Sequence, residues 1–344
     1  MSYIAVLTQL AITNRENLYR ARAAITKPED NEPLATIYTK QNICDHTLDD
    51  AQLAIRCPLD NGGHINASSS PRYPAGRLDQ LPAELLTQVL LWLDLPSLTD
   101  FRRVNRRTME LVDSIPQYDA IVKHCPNILR AVISLQANAF SCGQLYATLG
   151  TTQCSTCEHY GDHLYLIDCR RVCYPCFAVR QDYFPLTIGR ATAFFHPEQR
   201  KPTTARQRLQ AADIPSVLSL PGRYCTSRDN EGGTLVRKRL RLFDRRGIVG
   251  DRDMAGAPSV PKIDKTIREP QRFMAIITAP YLFDAGRQAD WGHFCAGCRD
   301  SNDWKGKHFR YRYTEAGMVE HVARYGVVEE SSRVPGMMRH VMPV

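Results

Sequence analysis

The chain has no long apolar run. Nowhere in its 344 residues is there a stretch of the roughly 18 or more consecutive apolar residues that a membrane-crossing helix needs, so no membrane partner is expected. The opening segment, MSYIAVLTQLAITNR, carries no basic residue ahead of its apolar ones and reaches Arg15 only after them. That is a poor secretory signal, and the cytoplasm or nucleus is the expected compartment. No segment recurs with a period of about 20–50 residues, which excludes solenoids and propellers. A glycine-rich phosphate loop, a nucleophile elbow and a His-Glu-x-x-His helix are all missing, which removes the commonest enzyme signatures. Charge of one sign is not concentrated either: 44 Lys and Arg against 36 Asp and Glu leave a net +8 spread along the chain. Such a balance permits nucleic-acid binding without indicating it.

What remains is an ordinary globular composition, 43% hydrophobic and 23% charged, in a chain long enough for two or three domains. Cysteine is plentiful, with 12 residues. In a long chain with no signal, Cys-x2-Cys pairs point to metal before disulfides.

The stretch LDQLPAELLTQVLLWLDLPSLTDFRRVNRRTMELVDSIP, Leu78 to Pro116, reads as three short helices. Pro82 suits a first helical turn, where its missing N–H costs nothing, and Glu84 complements the positive end of the helix. Leu85, Leu86, Val89, Leu90 and Leu93 then follow a 3.6-residue repeat, with Leu91 and Trp92 off that face. The Asp94-Leu95-Pro96-Ser97 break is expected to end this helix, with Ser97 as the next N-cap. Leu98, Phe101 and Val104 carry a second helix, and Met109, Leu111 and Val112 a third that stops at Ser114-Ile115-Pro116. About 40 residues seldom fold alone, and the surplus of apolar surface asks for a partner.

Leu81-Pro82-x-Glu84-Leu85-Leu86, followed by Leu93-Asp94 and Pro96-x-Leu98, resembles an F-box. The tryptophan often found in that family's third helix is absent; Thr108 and Met109 stand there. The resemblance implies docking to a Skp-type adaptor, and through it to a cullin, by Leu81, Pro82, Leu85, Val89, Leu95, Leu98 and Val104. It also implies a non-catalytic receptor that recruits a protein target for ubiquitination.

Farther along, Cys154-x2-Cys157 is followed after 15 residues by Cys173-x2-Cys176. This is the spacing of a four-thiolate zinc site, closed and structural. His159, His163 and Cys169 lie in the same window as alternative ligands. Leu164 to Ile167 has the composition of a strand that returns the second pair to the first.

Cys295-x2-Cys298 is a second knuckle with no evident second half; His293, His308, His321 and His340 are the candidates nearby. The region from Cys154 to Val344 is similar to the zinc-bearing C-terminal region of fungal F-box proteins, which often complete such a site with His-x3-Cys. His321 matches that histidine, but Tyr325 stands in place of the cysteine. The ligand set suggested is therefore Cys295, Cys298 and His321, with His308, a water or no metal at all to complete it.

Two enzymatic patterns fail on inspection. A RING needs a histidine just before its fifth ligand, and positions 170–172 are Arg, Arg and Val. A zinc deaminase reading of His196-x-Glu198 with Cys295-x2-Cys298 needs proline where Phe294 stands.

The expected architecture is α+β, mainly α. Residues 1–77 form a flexible lead-in, 78–120 an F-box, 121–150 a helical linker, and 151–344 a Cys-rich region with a small zinc-stabilised β module. A basic surface loop is expected at 226–268, bearing the run Arg237, Lys238, Arg239, Arg241, Arg245 and Arg246. Helices are expected over 118–125, 127–136, 141–150 and 202–212, and a buried strand within Arg272 to Phe283.

Overall fold

The computed structural model describes residues 37–38, 47–50, 52–59, 73–195, 209, 213–224, 234–249, 270–299 and 308–342. Cys44, His196 to Glu198, the N-terminal stretch 1–36 and all but Leu209 of the expected helix over 202–212 lie outside the described residues. The chain divides into two units, one from Cys44 to Asp290 and one from Trp291 to Val344 with the N-terminal strand Ile37–Tyr38.

In the larger unit, helix boundaries follow prolines and small polar caps. Helix α1 (Ala83–Leu91) starts after Pro82, one residue later than expected. Helix α2 (Leu95–Arg102) is capped by Asp94, whose carboxylate accepts from Ser97 N at 2.9 Å and Ser97 Oγ at 2.7 Å. Ser97, expected as the cap, is thus the capped residue: Pro96 has no N–H to satisfy and fits the first turn, so the cap falls before it. Asn105 and Thr108 form a reciprocal box at the start of α3 (Arg106–Asp113). Helices α4 (Pro116–His124) and α5 (Pro126–Leu135) both open on a proline. Ser141 and Gln144 box the start of α6 (Cys142–Leu149). Leu86, Leu90, Leu95, Leu98, Val112 and Ile121 are buried among these helices.

Strand β1 (His163–Tyr165) is the centre of an antiparallel sheet. It pairs on one side with β2 (Arg170–Val172) and, far along the chain, on the other with a strand at Ile276–Thr278. The return expected from Leu164 to Ile167 is made by β2, which leads directly into α7 (Tyr174–Val179). A second sheet follows. Strand β3 (Leu186–Thr187) precedes α8 (Ile188–Phe195) and is separated by β4 (Ser216–Leu218), the hairpin β5 (Gly222–Tyr224) and β6 (Thr234–Val236) from β7 (Arg241–Phe243), which lies between β3 and β4. Helix α9 (Arg245–Val249) comes next. The loop expected at 226–268 is therefore corrected over 234–249. Leu242 and Phe243 are buried, and two consecutive large apolar residues draw this segment into a sheet. The strand at Ile276–Thr278, β8, is followed by the hairpin β9 (Tyr281–Phe283) and β10 (Gln288–Asp290), with Pro280 between β8 and β9.

The flexible lead-in is corrected over 47–59. Leu48 and Leu53 are buried, and the Asp49 carboxylate accepts from Thr278 N at 3.0 Å and from Thr278 Oγ1 on β8. Arg130 Nε donates to Cys57 O. Two apolar anchors within six residues outweigh the polar composition around them.

Arg171 joins the helical and β halves of this unit. Its guanidinium is fully buried and donates to Thr148 O and Leu149 O at the end of α6, to Gly161 O, and to Pro280 O. A buried cation is tolerated because Nε and both terminal nitrogens of the guanidinium each find a backbone carbonyl acceptor.

The smaller unit holds β11 (His293–Cys295), α10 (Ala296–Arg299), β12 (Arg312–Tyr313), α11 (Glu315–Tyr325), and the hairpin β13 (Val327–Glu330) and β14 (Met338–Val341). Strand β11 pairs with β12 and with Ile37–Tyr38. The expected single region 151–344 is thus divided between Asp290 and Trp291. Pairing of β8 with β1 keeps residues up to 290 with the first Cys group, while β11 pairs only within the second unit.

Candidate docking face and metal centres

Helix α1 has two apolar faces. Leu86 and Leu90 point into the helical core, while Leu85 is 50% exposed, Val89 46% and Trp92, just past its end, 84%. Spacings of four and three put Leu85, Val89 and Trp92 on one stripe. Leu81 and Pro82 extend it upstream, both exposed. Their turn is held by Arg107, whose Nε pairs with Asp79 Oδ1 at 2.8 Å. Val104 is exposed at the end of α2. Leu95 and Leu98 are corrected: both are fully buried among the chain's own helices and offer no surface to a partner. Trp92, left out of the expected docking residues, is the most exposed large apolar residue described. Its position seven after Leu85 was the available signal.

The first Cys group assembles from both sides of the β1–β2 hairpin. Cys154 and Cys157 lie in the turn before β1, fixed by Cys154 N donating to His159 O at 2.9 Å and Ser155 N donating to Arg171 O at 2.8 Å. Cys173 caps α7 and Cys176 sits in its first turn. The Cys157 Sγ lies 3.6 Å from both Cys173 Sγ and Cys176 Sγ, and all four sulfurs are within 4.8 Å of one another. Four bonds of about 2.3 Å to one ion would place neighbouring sulfurs about 3.8 Å apart, so the donor set fits a tetrahedral cation. Hydrogen bonds from Cys173 and Cys176 pull the Cys154 thiol well below the ordinary range, and the bond to Cys154 pushes Cys173 well above it. Four sulfurs in contact cannot ionise together without a cation between them. Two of the three alternative ligands are engaged elsewhere: Cys169 Sγ meets Thr148 Oγ1, and His163 Nδ1 lies 2.8 Å from Asp162 Oδ1.

The second group is Cys295, Cys298, His321 and His340. Cys295 ends β11, Cys298 lies in α10, His321 in α11 and His340 in β14. Cys298 Sγ is 3.3 Å from His321 Nε2 and 3.4 Å from His340 Nε2, and the two Nε2 atoms are 3.3 Å apart. His340 Nδ1 lies 2.9 Å from Gly326 O and donates its N–H there, so that in the neutral imidazole Nε2 carries the lone pair. This is the outer-shell arrangement that orients a metal-bound imidazole. Nitrogens bonded at about 2.0–2.1 Å to one tetrahedral ion sit about 3.3–3.4 Å apart, which matches. His308, expected as a ligand, falls in the short turn His308–Arg310 with its side chain outside the described residues, and His340 supplies the fourth donor. Tyr325, where the resemblance asked for cysteine, packs its ring 4.8 Å from that of His321. Among the described residues, then, two Cys/His groups could hold a metal.

No helix of the described residues is long and apolar enough to cross a membrane. No curated protein and no solved structure matches the chain. The family model for the F-box domain matches residues 78–119, the segment whose helices bury Leu86, Leu90, Leu95 and Leu98 and turn Leu85, Val89 and Trp92 outward. Residues 78–119 of the chain are an F-box domain.

Proposed function

We propose that the chain is a substrate receptor of a Skp-cullin-F-box ubiquitin ligase, acting without catalysis of its own. The observation that carries this reading is the stripe Leu81, Leu85, Val89 and Trp92, left exposed by the very domain whose family docks onto a Skp-type adaptor. Contiguous apolar surface of this kind marks a protein interface. The chemical contribution of such a receptor is proximity: a tethered target meets the ligase's conjugating machinery at high effective concentration.

Zinc is the metal that best suits both Cys/His groups, because thiolate and imidazole donors in a closed tetrahedron leave no position for a reacting water. In this reading the ions are structural, held by Cys154, Cys157, Cys173 and Cys176, and by Cys295, Cys298, His321 and His340. The target is a protein bound by the body that follows the F-box, in the cytoplasm or nucleus.

Co-purification of the full chain with a Skp-type adaptor tests the reading. Capture by the parent chain, lost in a Leu85→Ala/Val89→Ala/Trp92→Ala variant that keeps its fold, is the expected result. No capture by the parent, or undiminished capture by the variant, overturns it.

A further inference from the structure

The basic run at 237–246 is not absorbed by docking or metal binding, and the fold divides it into working parts. Arg245 donates to Gln181 Oε1, and Arg239 donates to Ser134 O, Leu218 O and Ser219 O, tying β7 to the end of α5. Arg237, Lys238 and Arg241 are exposed. None of Arg237, Lys238, Arg239 and Arg241 has a carboxylate partner among the described residues; the one acid within the run, Asp244, is buried against Arg170 at 3.0 Å. Four uncompensated cations in five positions raise the local potential and favour an anionic partner.

Beside them lies a cavity of about 650 Å³. Asn138, Asp213, Ser216 and Arg241 supply its polar wall, with Ile214 and Phe243 beneath. The Arg241 guanidinium is steadied by Ser216 Oγ at 3.2 Å, through one of its five N–H donors. Arg239 fixes the strip to Ser134, just ahead of Asn138, so the cationic strip and the cavity are parts of one surface. The volume falls within the roughly 300–1,000 Å³ of small-ligand sites, room for a few residues of extended chain. A nucleic acid fits this surface less well. The cations occupy a short strip instead of a track, and the one aromatic among the described lining residues, Phe243, is buried and offers no stacking platform.

We propose that the cavity walled by Asn138, Asp213, Ser216 and Arg241, with the cationic strip Arg237–Arg241 beside it, receives a short Asp- and Glu-rich segment of the target protein. Arg241 would hold a carboxylate in the cavity, while Arg237 and Lys238 attract the flanking charge. This deepens the substrate-receptor reading and rests on it for the word target, although the peptide site is testable apart from the adaptor.

The experiment is fluorescence anisotropy on the full, zinc-loaded chain at physiological salt. The probes are a labelled Glu/Asp-rich peptide, its Gln/Asn counterpart and a labelled single-stranded oligonucleotide. The acidic peptide is expected to bind, and the amide counterpart at least about tenfold more weakly. Loss of one charged hydrogen-bonding partner is worth about tenfold or more, so Arg241→Glu should reduce acidic-peptide affinity by at least that much. Arg237→Ala/Lys238→Ala, confined to exposed side chains, should reduce it about threefold, and Asp213→Asn should raise it. Each variant is checked for adaptor capture and zinc content equal to the parent. Equal binding of the acidic and amide peptides, insensitivity to both sets of cation substitutions, or tighter binding of the oligonucleotide than of the acidic peptide overturns the proposal. Failure of the parent chain to capture the adaptor would sink the receptor reading and leave the peptide measurement to stand by itself.

Discussion

Adjacent leucines on α1 should respond to truncation in opposite ways. Leu86 and Leu90 are buried in the helical core, whereas Leu85 and Val89 are each about half exposed. Fully burying a leucine or valine is worth roughly 1.5–3 kcal/mol, so each half-exposed side chain has about 1 kcal/mol left to give a partner. Truncating both should cost about 2 kcal/mol of adaptor binding, about 30-fold in affinity. The same pair of changes should cost about 1–2 kcal/mol of unfolding free energy, since the buried half of each side chain is lost from the fold and alanine's better helix propensity offsets only part of it. Leu86→Ala and Leu90→Ala should each cost about 2–5 kcal/mol in stability through the cavity they leave. At a temperature where those variants remain folded, their adaptor affinity should stay within about threefold of the parent. Trp92→Ala should weaken binding at least as much as the Leu85/Val89 pair, since an exposed tryptophan carries more apolar area and is the residue type most enriched at binding hot spots. Calorimetric titration of the full chain with purified adaptor, beside urea unfolding of each variant, separates the two effects. If Leu86→Ala abolished binding in a folded chain while Leu85→Ala only lowered stability, the assignment of faces would be wrong.

Removing one thiolate from the first Cys group, as in Cys173→Ser, should lower bound zinc by one ion per chain and unfold the β1–β2 hairpin locally, because zinc can contribute on the order of 10 kcal/mol to such a module. Unchanged metal content by mass spectrometry, with unchanged hydrogen-exchange protection across 154–176, would refute the site. Gly326 has φ +96°, and an added Cβ would collide with the Val341 carbonyl oxygen. Gly326→Ala should therefore shift the carbonyl that fixes His340 and weaken metal at the second group by about 10–100-fold without removing a ligand; chelator competition giving parental affinity would contradict this. Burial pushes the Asp168 carboxyl up to about 6 despite the Arg170 ion pair, against about 3.9 when unfolded. The native state thus holds that proton more tightly, giving stability that is present below about pH 4 and lost as pH rises to about 6. Relative to Asp168→Asn, the parent should lose up to about 3 kcal/mol across that window, and parallel denaturation profiles of the two would exclude it.

Much of the helical half was legible because its signals are local. Pro116 and Pro126, expected as breaks between helices, act within one turn and open α4 and α5, and the helices expected over 118–125, 127–136 and 141–150 lie within about two residues of their observed bounds. The orientation of the docking residues was less legible for a physical reason. A helix that is apolar around most of its girth, with Leu85, Leu86, Val89, Leu90 and Leu91 in seven positions, has no polar face to tell inside from outside. Periodicity therefore grouped Leu85 with Leu86, and it could not see that α2 turns Leu95 and Leu98 inward. The two metal groups divide along the same line. The first pairs of cysteines are joined by one short hairpin, so spacing alone gathers all four residues; His340 stands 42 residues beyond Cys298 and reaches it only because β13 pairs with β14.

The strands around both metal groups are two to four residues long, and sheets this small do not persist on backbone pairing alone. Packing is close where the ligands are: Gly297, between Cys295 and Cys298, would place a Cβ 3.0 Å from His340 Nε2, so even a methyl group there competes with the ligand set. Side chains that would otherwise build an apolar core are given over to sulfur and imidazole. A metal ion held by these groups would do the holding that a small sheet cannot. In the larger unit the consequence reaches the docking helices, because Arg171, which leads into Cys173, also binds the last carbonyls of α6, and Cys142 at the start of α6 donates its backbone N–H to Leu93 O at the end of α1. Loss of the first metal should therefore loosen the adaptor-facing stripe as well as its own hairpin, in the order of that hydrogen-bonded path.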